Sequence, residues 1–346
     1  MGFWDRLFRM HKPSQEGEPA ISVPEKRLSP RRFDWRASEP HLMLLCEFRK
    51  ARDAKYCVPD YWKAILGENP RVSINRFRSE GLLEIASVTE TLPLILRLPE
   101  LKQMLKQRDL PVSGKKDILI ERLLSSDLPF ATQLVDTRPH VKLSPEGQSI
   151  TDKYCASKDK EKADAVAEVL PLLRLRNFKA AGAVVAAYQA KQIGVSLVDG
   201  VASQSGRLTP QHYSANLDSI FSSYPTILQG LSSAEWEQAH LCLAIGEALG
   251  HWDNSLPDHF TGAPRLDSNT AMRMISFHCR HIRELKQLRR IGVKKITIEG
   301  CGDSASCASC KKISGKKFSL DGVPELPYAK CTSAMGCRCL MLADFD

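Results

Sequence analysis

The chain has 346 residues, 43% of them apolar and 26% charged, with 49 Lys and Arg against 40 Asp and Glu for a net charge of +9. That length allows two or three domains with sizeable cores, and the composition is that of a globular protein rather than a disordered or fibrous one. No apolar run reaches the ~18 residues that a membrane span needs, and the positive excess suits a polyanionic partner without specifying one.

Residues 1–40 are predicted to be a flexible N-terminus and linker. Residues 1–10 set Phe3, Trp4, Leu7 and Phe8 among Arg6 and Arg9, without the continuous apolar core of a secretory signal. This pattern is a loose terminus or a short amphipathic segment lying on a surface. From residue 11 the chain is rich in Pro, Ser and charge. A helical pattern begins at residue 41, with Leu42, Leu45, Cys46 and Phe48 on one face. VPDYWKAILG follows, with a Pro-Asp start signal and a glycine stop. SINRFRSEGLLEIAS then reads as a helix, a stop at Gly81 and a strand from Leu82 to Ile85. This order of helix, glycine and strand resembles winged-helix folds, and the module is predicted to span residues 41–155. Ser144, Pro145 and Glu146 form the start of a further helix. Residues 156–291 read as a helical middle, interrupted near Pro171 and stopped at Gly250 and Gly292. It packs on stripes such as Ala181, Val185 and Tyr188, and its last helix is capped by Asn269 or Thr270. Residues 292–346 open with a strand that alternates Val293, Ile296 and Ile298 with polar residues.

The stretch RLPELKQMLKQRDLPVSGKKDILIERLLSS carries the first chemical signal. Pro99 suits the first turn of a helix, and Leu98, Leu101, Met104 and Leu105 share its apolar face. Pro111 cannot continue that helix. A second helix starts near Lys115 and presents Ile118, Leu119, Leu123 and Leu124. Two such helices close one small apolar face and need neighbours to be stable. Lys115 and Lys116 sit where a helix already exposes unpaired amides and positive potential. The excess makes sense if an anion occupies the spot, and Gly114 lets a phosphate approach the backbone. Lys102, Lys106, Arg108 and Arg122 extend such a contact along a nucleic-acid backbone, with weak sequence preference. Through its leucine pattern and Pro111, Ser113, Gly114, Lys115, Lys116 and Arg122, the segment 97–125 resembles the SAP motif, a helix-extended-helix module of DNA-binding proteins. The resemblance implies DNA binding by Lys115, Lys116 and Arg122.

The second signal is the cysteine distribution. Of eleven cysteines, six fall between Cys301 and Cys339 and the rest are scattered. That pattern points to a reducing, cytoplasmic setting and one metal site rather than a disulfide scaffold. Cys307 and Cys310 form C-x-x-C; Cys331 with Cys337 or Cys339 is the natural second pair for a tetrahedral ion. Cys301 is a spare thiol. Bound zinc would add directly to the folding free energy of so short a segment, predicting a structural, zinc-ribbon-like cap. The Cys-rich ending also resembles the tails of some phage head-morphogenesis proteins.

His278 and His281 share a helix face beside Cys279, but no paired carboxylate or nucleophile motif accompanies them. The expected fold class is mainly α and multidomain: a SAP-like hairpin within a winged-helix-like N-terminal module, a helical middle and a small Cys-rich cap. The expected function is DNA binding through phosphate contacts, with no reaction assigned. Two alternatives stand beside it: a metal-dependent nuclease tethered by the hairpin, and a protein-interaction or phage-assembly scaffold.

Overall fold

The computed structural model describes residues 34–56, 58–59, 61–193, 208–252 and 256–344. The predicted amphipathic stretch at residues 1–10, the linker as far as residue 33 and the expected start signal Asp60 lie outside the described residues. Within them the chain folds into thirteen α-helices and six short strands.

The first module begins inside the stretch expected to be linker. Asp34 caps a short 3-10 turn at Trp35–Ala37, and Trp35 is buried, its indole N–H donating to Glu80 Oε1 at 3.0 Å. An indole of this size buries too much apolar surface to be left in a solvated linker. α1 (Glu39–Cys46), β1 (Arg52–Asp53), α2 (Tyr61–Leu66), α3 (Pro70–Ser79), β2 (Leu83–Ile85) and β3 (His140–Leu143) complete the module. Its sheet has the order β1-β3-β2, with both pairings antiparallel. Leu44, Leu45, Phe48, Trp62, Ile74, Phe77, Leu82 and Val141 form its core. Leu44 takes the central place expected for Leu42, which packs at the edge. The stop after α3 is built by Gly81 at φ +71°: Leu82 N–H reaches Phe77 O at 2.9 Å and Gly81 N–H reaches Arg78 O at 3.0 Å. That double closure needs a left-handed residue, which glycine adopts without a Cβ penalty.

β2 and β3 pair as neighbours, Leu83 opposite Leu143 and Ile85 opposite Val141, yet the chain between them is no tight turn. It holds α4 (Val88–Ile95), α5 (Leu98–Lys106), α6 (Lys116–Ser126) and α7 (Leu128–Thr137). These four helices enclose a core of their own: Leu92, Leu96, Leu101, Leu105, Leu119, Ile120, Leu123, Ala131 and Val135. The predicted two-helix hairpin thus receives its stabilising neighbours from α4 and α7. Leu98 and Ile118, expected on the packed faces, are 41% and 48% exposed, and Ile120 is buried instead.

α8 (Pro145–Arg174) starts at Ser144, whose Oγ accepts from Gly147 N–H. It continues unbroken through residues 155 and 156 and past Pro171. Near a helix end proline forfeits only one backbone bond, so it does not decide the stop. The stop is Arg176 at φ +56°, with Asn177 N–H to Leu172 O at 2.8 Å and Arg176 N–H to Leu173 O at 2.9 Å. α9 (Phe178–Lys191), α10 (Pro210–Phe221), α11 (Ser233–Leu249) and α12 (Ser268–Arg290) follow. The cap of α12 is Asp267, which accepts from Thr270 N–H at 2.8 Å, rather than Asn269 or Thr270. Aspartate outranks threonine at this position because its carboxylate also meets the helix dipole favourably.

β4 (Lys295–Glu299), α13 (Ala308–Ile313), β5 (Lys317–Ser319) and β6 (Leu340–Asp344) form the C-terminal unit, an antiparallel sheet in the order β5-β4-β6. Its Ile296, Ile298, Ile313, Leu320 and buried cysteines belong to the same apolar cluster as Val169, Leu173, Leu243 and Ile275 of the helical middle.

Candidate nucleic-acid interface and metal centre

α5 ends by a device that the sequence reading attributed to Pro111. Asp109 adopts φ +55°, with Leu110 N–H bonded to Leu105 O at 3.0 Å and Asp109 N–H to Lys106 O at 3.1 Å. This closure follows the last helical residue, Lys106, five residues before the proline, and turns Leu110 inward against the apolar core. The chain then runs through Gly114, at φ +127°, into α6. Lys115 is the N-cap of α6 and provides no side-chain cap, so the first amides of the helix keep their anion-attracting character.

The lysines and arginines here divide into two groups. Lys102, Lys106 and Lys115 are exposed and have no ion-pair partner among the described residues. Lys102 and Lys106 lie one helical turn apart on the same face of α5. Lys116, Arg122 and Arg108 carry structural bonds. Lys116 is half-buried and its Nζ donates to Pro93 O at 2.7 Å. That carbonyl is among the unpaired acceptors at the C-terminal end of α4, where a cation also suits the dipole. Arg122 donates to Pro111 O and, at 3.2 Å, to Ser113 O, holding the turn that presents Gly114. Arg108 pairs with Asp127 at 2.8 Å and lies over the Phe130 ring at 4.0 Å. The Arg108 bond holds the Asp127 carboxyl below its ordinary range. α7 was not among the expected elements, although Asp127, Leu128 and Pro129 form a local start signal; the pairing of Asp127 with Arg108, just past α5, has no local signal. A strut from Lys142 Nζ on β3 to Glu90 Oε1 on α4, 2.7 Å, ties the inserted helices to the sheet. That bond, with the Ser87 hydroxyl, brings the Glu90 carboxyl down to about 2.

At the other end of the chain, β4 leads into the C-x-x-C loop. Cys307 is the N-cap of α13, and its Sγ accepts from Cys310 N–H at 3.5 Å and Thr332 N–H at 3.4 Å. Cys331 Sγ lies 3.9 Å from Cys307 Sγ. A tetrahedron with metal–sulfur arms of about 2.3 Å has edges of about 3.8 Å, so this spacing suits two ligands of one ion. The thiols come together in two groups, Cys307 with Cys310 and Cys331, and Cys310 with Cys337 and Cys339. Cys310 is common to both. Beside them is a small cavity of about 30 Å³ whose lining includes Cys301, Cys307, Cys310, Cys331 and Cys339. Cys301 is exposed, belongs to neither group and rests against Arg338 O.

The thiols of this cluster differ in their electrostatics. Burial pushes the Cys307 thiol up, but the amides of Thr332 and Cys310 outweigh it and hold it at about 6. Burial and the neighbouring Cys337 raise Cys310; a hydrogen bond with Cys337 and burial raise Cys331. Crowded thiols resist ionising together, and a cation among them reverses that preference. The surrounding chain fixes them in place. Arg338 forms a two-armed pair with Asp303, both contacts 2.7 Å. Cys337 N–H faces Met274 Sδ at 3.3 Å. Gly336, at φ +72°, passes so close to α12 that a Cβ would stand 2.8 Å from Met274 Cε.

His278 and His281 do not join a metal-binding group among the described residues. His281 is 3% exposed, and burial and the neighbouring His278 bring it down to about 4. His278 Nε2 meets Glu325 Oε1 at 3.4 Å. Arg273 and Arg289, on the same helix, bond Met335 O and Asp321. α12 therefore uses part of its positive charge to hold the C-terminal unit.

No curated protein and no solved structure matches the chain, so the likeness of the Cys-rich ending to phage head-morphogenesis tails gains no support. Residues 96–127, about one tenth of the chain, match the family model described as the SAP domain. Together with the two-helix geometry of α5 and α6, that match shows that this chain carries a SAP domain, inserted between two paired strands of its N-terminal module.

Proposed function

We propose that the protein binds duplex DNA through its SAP domain, by phosphate contacts of weak sequence preference, and that a structural zinc ion holds its C-terminal unit. The observation that carries the DNA reading is the unpaired charge at Lys115, on the uncapped start of α6 beside Gly114. Lys102 and Lys106 extend it; of the other expected contacts, Arg122 also holds the turn that presents Gly114, and Lys116 is bonded to Pro93 O at the end of α4. Five clustered thiols favour a soft, tetrahedral ion. Cys310, common to both thiol groups, is the central ligand in this reading, with Cys307, Cys331, Cys337 and Cys339 as the candidates for the other three positions. Zinc would supply no reaction there; it would cross-link the C-x-x-C loop to the chain entering β6. The scattered free thiols favour a reducing, cytoplasmic location.

A duplex-binding titration across a salt series tests the DNA reading. Affinity should fall steeply as salt rises. Lys115→Glu should weaken binding and reduce the slope of log affinity against log salt by about one. Binding that is absent at ~50 mM salt, or unaffected by Lys115→Glu and Lys102→Glu/Lys106→Glu, overturns it.

A further inference from the structure

Cys46 closes α1 and Cys155 lies in α8, 109 positions apart in the chain, yet their Sγ atoms are 3.9 Å apart. Both are half-buried, so small solutes reach them, unlike the buried Cys242 and Cys279. Arg49 places Nη1 2.8 Å from Cys155 Sγ and Nη2 2.9 Å from Asp152 Oδ1. A guanidinium at hydrogen-bond range stabilises a thiolate over a thiol. Two adjacent thiols, one of them in direct contact with a guanidinium, form the arrangement in which one sulfur attacks an oxidant and the other resolves the product.

We propose that Cys46 and Cys155 form a reversible oxidation site that takes a peroxide and closes into a disulfide. Cys155, the sulfur that Arg49 touches, is the attacking group, and its proton is released as it reacts. Its sulfur attacks one peroxide oxygen and the O–O bond breaks. The departing hydroxide takes up a proton as water, leaving a sulfenic acid on Cys155. Cys46 sulfur then attacks that sulfenic sulfur. The S–S bond forms, the S–O bond breaks, and the Cys46 proton leaves with the hydroxide as a second water. Two thiols lose two electrons and hydrogen peroxide gains them. Burial, with Cys155 close by, pushes the Cys46 thiol up to about 12, which suits it to the second step rather than the first. A disulfide has an S–S distance of about 2.05 Å, so the sulfurs must close by about 2 Å, within the range of side-chain rotation. The bond would join α1 to α8 and bracket the SAP domain, β2 and β3 in one closed loop. The inference rests on neither the DNA nor the zinc reading.

The test treats the full-length protein, as purified, with roughly stoichiometric hydrogen peroxide, blocks free thiols with iodoacetamide, digests it and maps the peptides by mass. The expected product is the Cys46 peptide joined to the Cys155 peptide, about 2 Da lighter than the two thiol peptides together and separated again by dithiothreitol. In Cys46→Ser the reaction should stop at a Cys155 sulfenic acid that dimedone captures. Arg49→Ala should slow Cys155 oxidation several-fold, and Arg49→Lys should recover part of the rate. Because each cysteine is read on its own peptide, oxidation in the C-terminal cluster does not obscure the result. The proposal is overturned if both residues stay fully alkylated while exposed Cys301 oxidises. It is also overturned if either links to a different cysteine, if Cys155 proceeds to sulfinic acid without a link, or if Arg49→Ala leaves the rate unchanged.

Discussion

The SAP domain and the C-terminal unit are both small, and they are held together in opposite ways. The inserted helices α4 to α7 bury nine apolar residues in a core separate from that of the sheet they interrupt. Their charged groups lie over that core as struts or face solvent. In the C-terminal unit the chemistry is itself the interior: Cys310, Cys331, Cys337 and Cys339 are buried in one cluster with the helical middle. An exposed charge over a separate core can change with little effect on folding. A thiol within the core cannot, because its loss is also a loss of packing, and of metal-binding energy if the cluster holds an ion.

The strongest way to break this contrast is Cys310→Ser. Cys310 belongs to both thiol groups, so its loss should abolish metal retention and cost several kcal/mol of stability. Metal stoichiometry and limited proteolysis of residues 300–340 report the result, with Cys301→Ser as an unaffected control. Unchanged metal content in Cys310→Ser would remove the basis for a thiol-held ion.

Next in size is Leu119→Ala. Leu119 is fully buried in the SAP core, and truncation at such a site costs about 2–5 kcal/mol. Hydrogen exchange should show α4 to α7 opening while α11 and α12 stay protected. If protection falls throughout the chain, the separate cores do not act as separate units.

A smaller and more selective effect separates two adjacent lysines. Lys116→Met removes the bond to Pro93 O and should cost about 1 kcal/mol while leaving the salt slope of DNA binding unchanged. Lys115→Met should do the reverse. Melting curves and the salt series on both variants decide, and equal behaviour of the two would erase the distinction the structure draws between them.

The least effect is expected from Glu90→Gln, at the strut between β3 and α4. The folded carboxyl sits at about 2 against an ordinary 4.5. A depressed acid stabilises above its unfolded value and loses that contribution as pH falls from 4.5 towards 2. The urea midpoint of wild type should exceed that of the variant at pH 7, with the gap closing by pH 2. The pair is exposed, so the gap should be slight, and a gap that persists at pH 2 would mean the carboxylate charge is not its source.

Local signals carried much of this architecture. Gly81, Gly250 and Gly292 end helices as expected because a left-handed stop is a property of one residue and its neighbours in sequence. The Ser144 cap, the 295–299 strand and the SAP hairpin were legible for the same reason. Asp109 and Arg176 end helices in the same conformation without being glycine. Aspartate tolerates this conformation and arginine does not favour it, so neither is as clear a local signal as glycine. Pro171 and Pro111 accordingly looked like the stops and are not.

By itself the sequence determined the best-marked helices, though not α4 or α7, together with the cysteine spacing and the placing of basic residues at the start of α6, since each depends on side chains within one or two turns of each other. Only the tertiary structure decided which charges are free. Lys115 and Lys116 are neighbours in the chain, but a carbonyl 23 positions away claims one of them. The same holds for Cys46 and Cys155, which no spacing rule would pair. Long-range packing, not local pattern, brings such groups within hydrogen-bond reach, and there a few tenths of a nanometre separate a structural bond from a binding group.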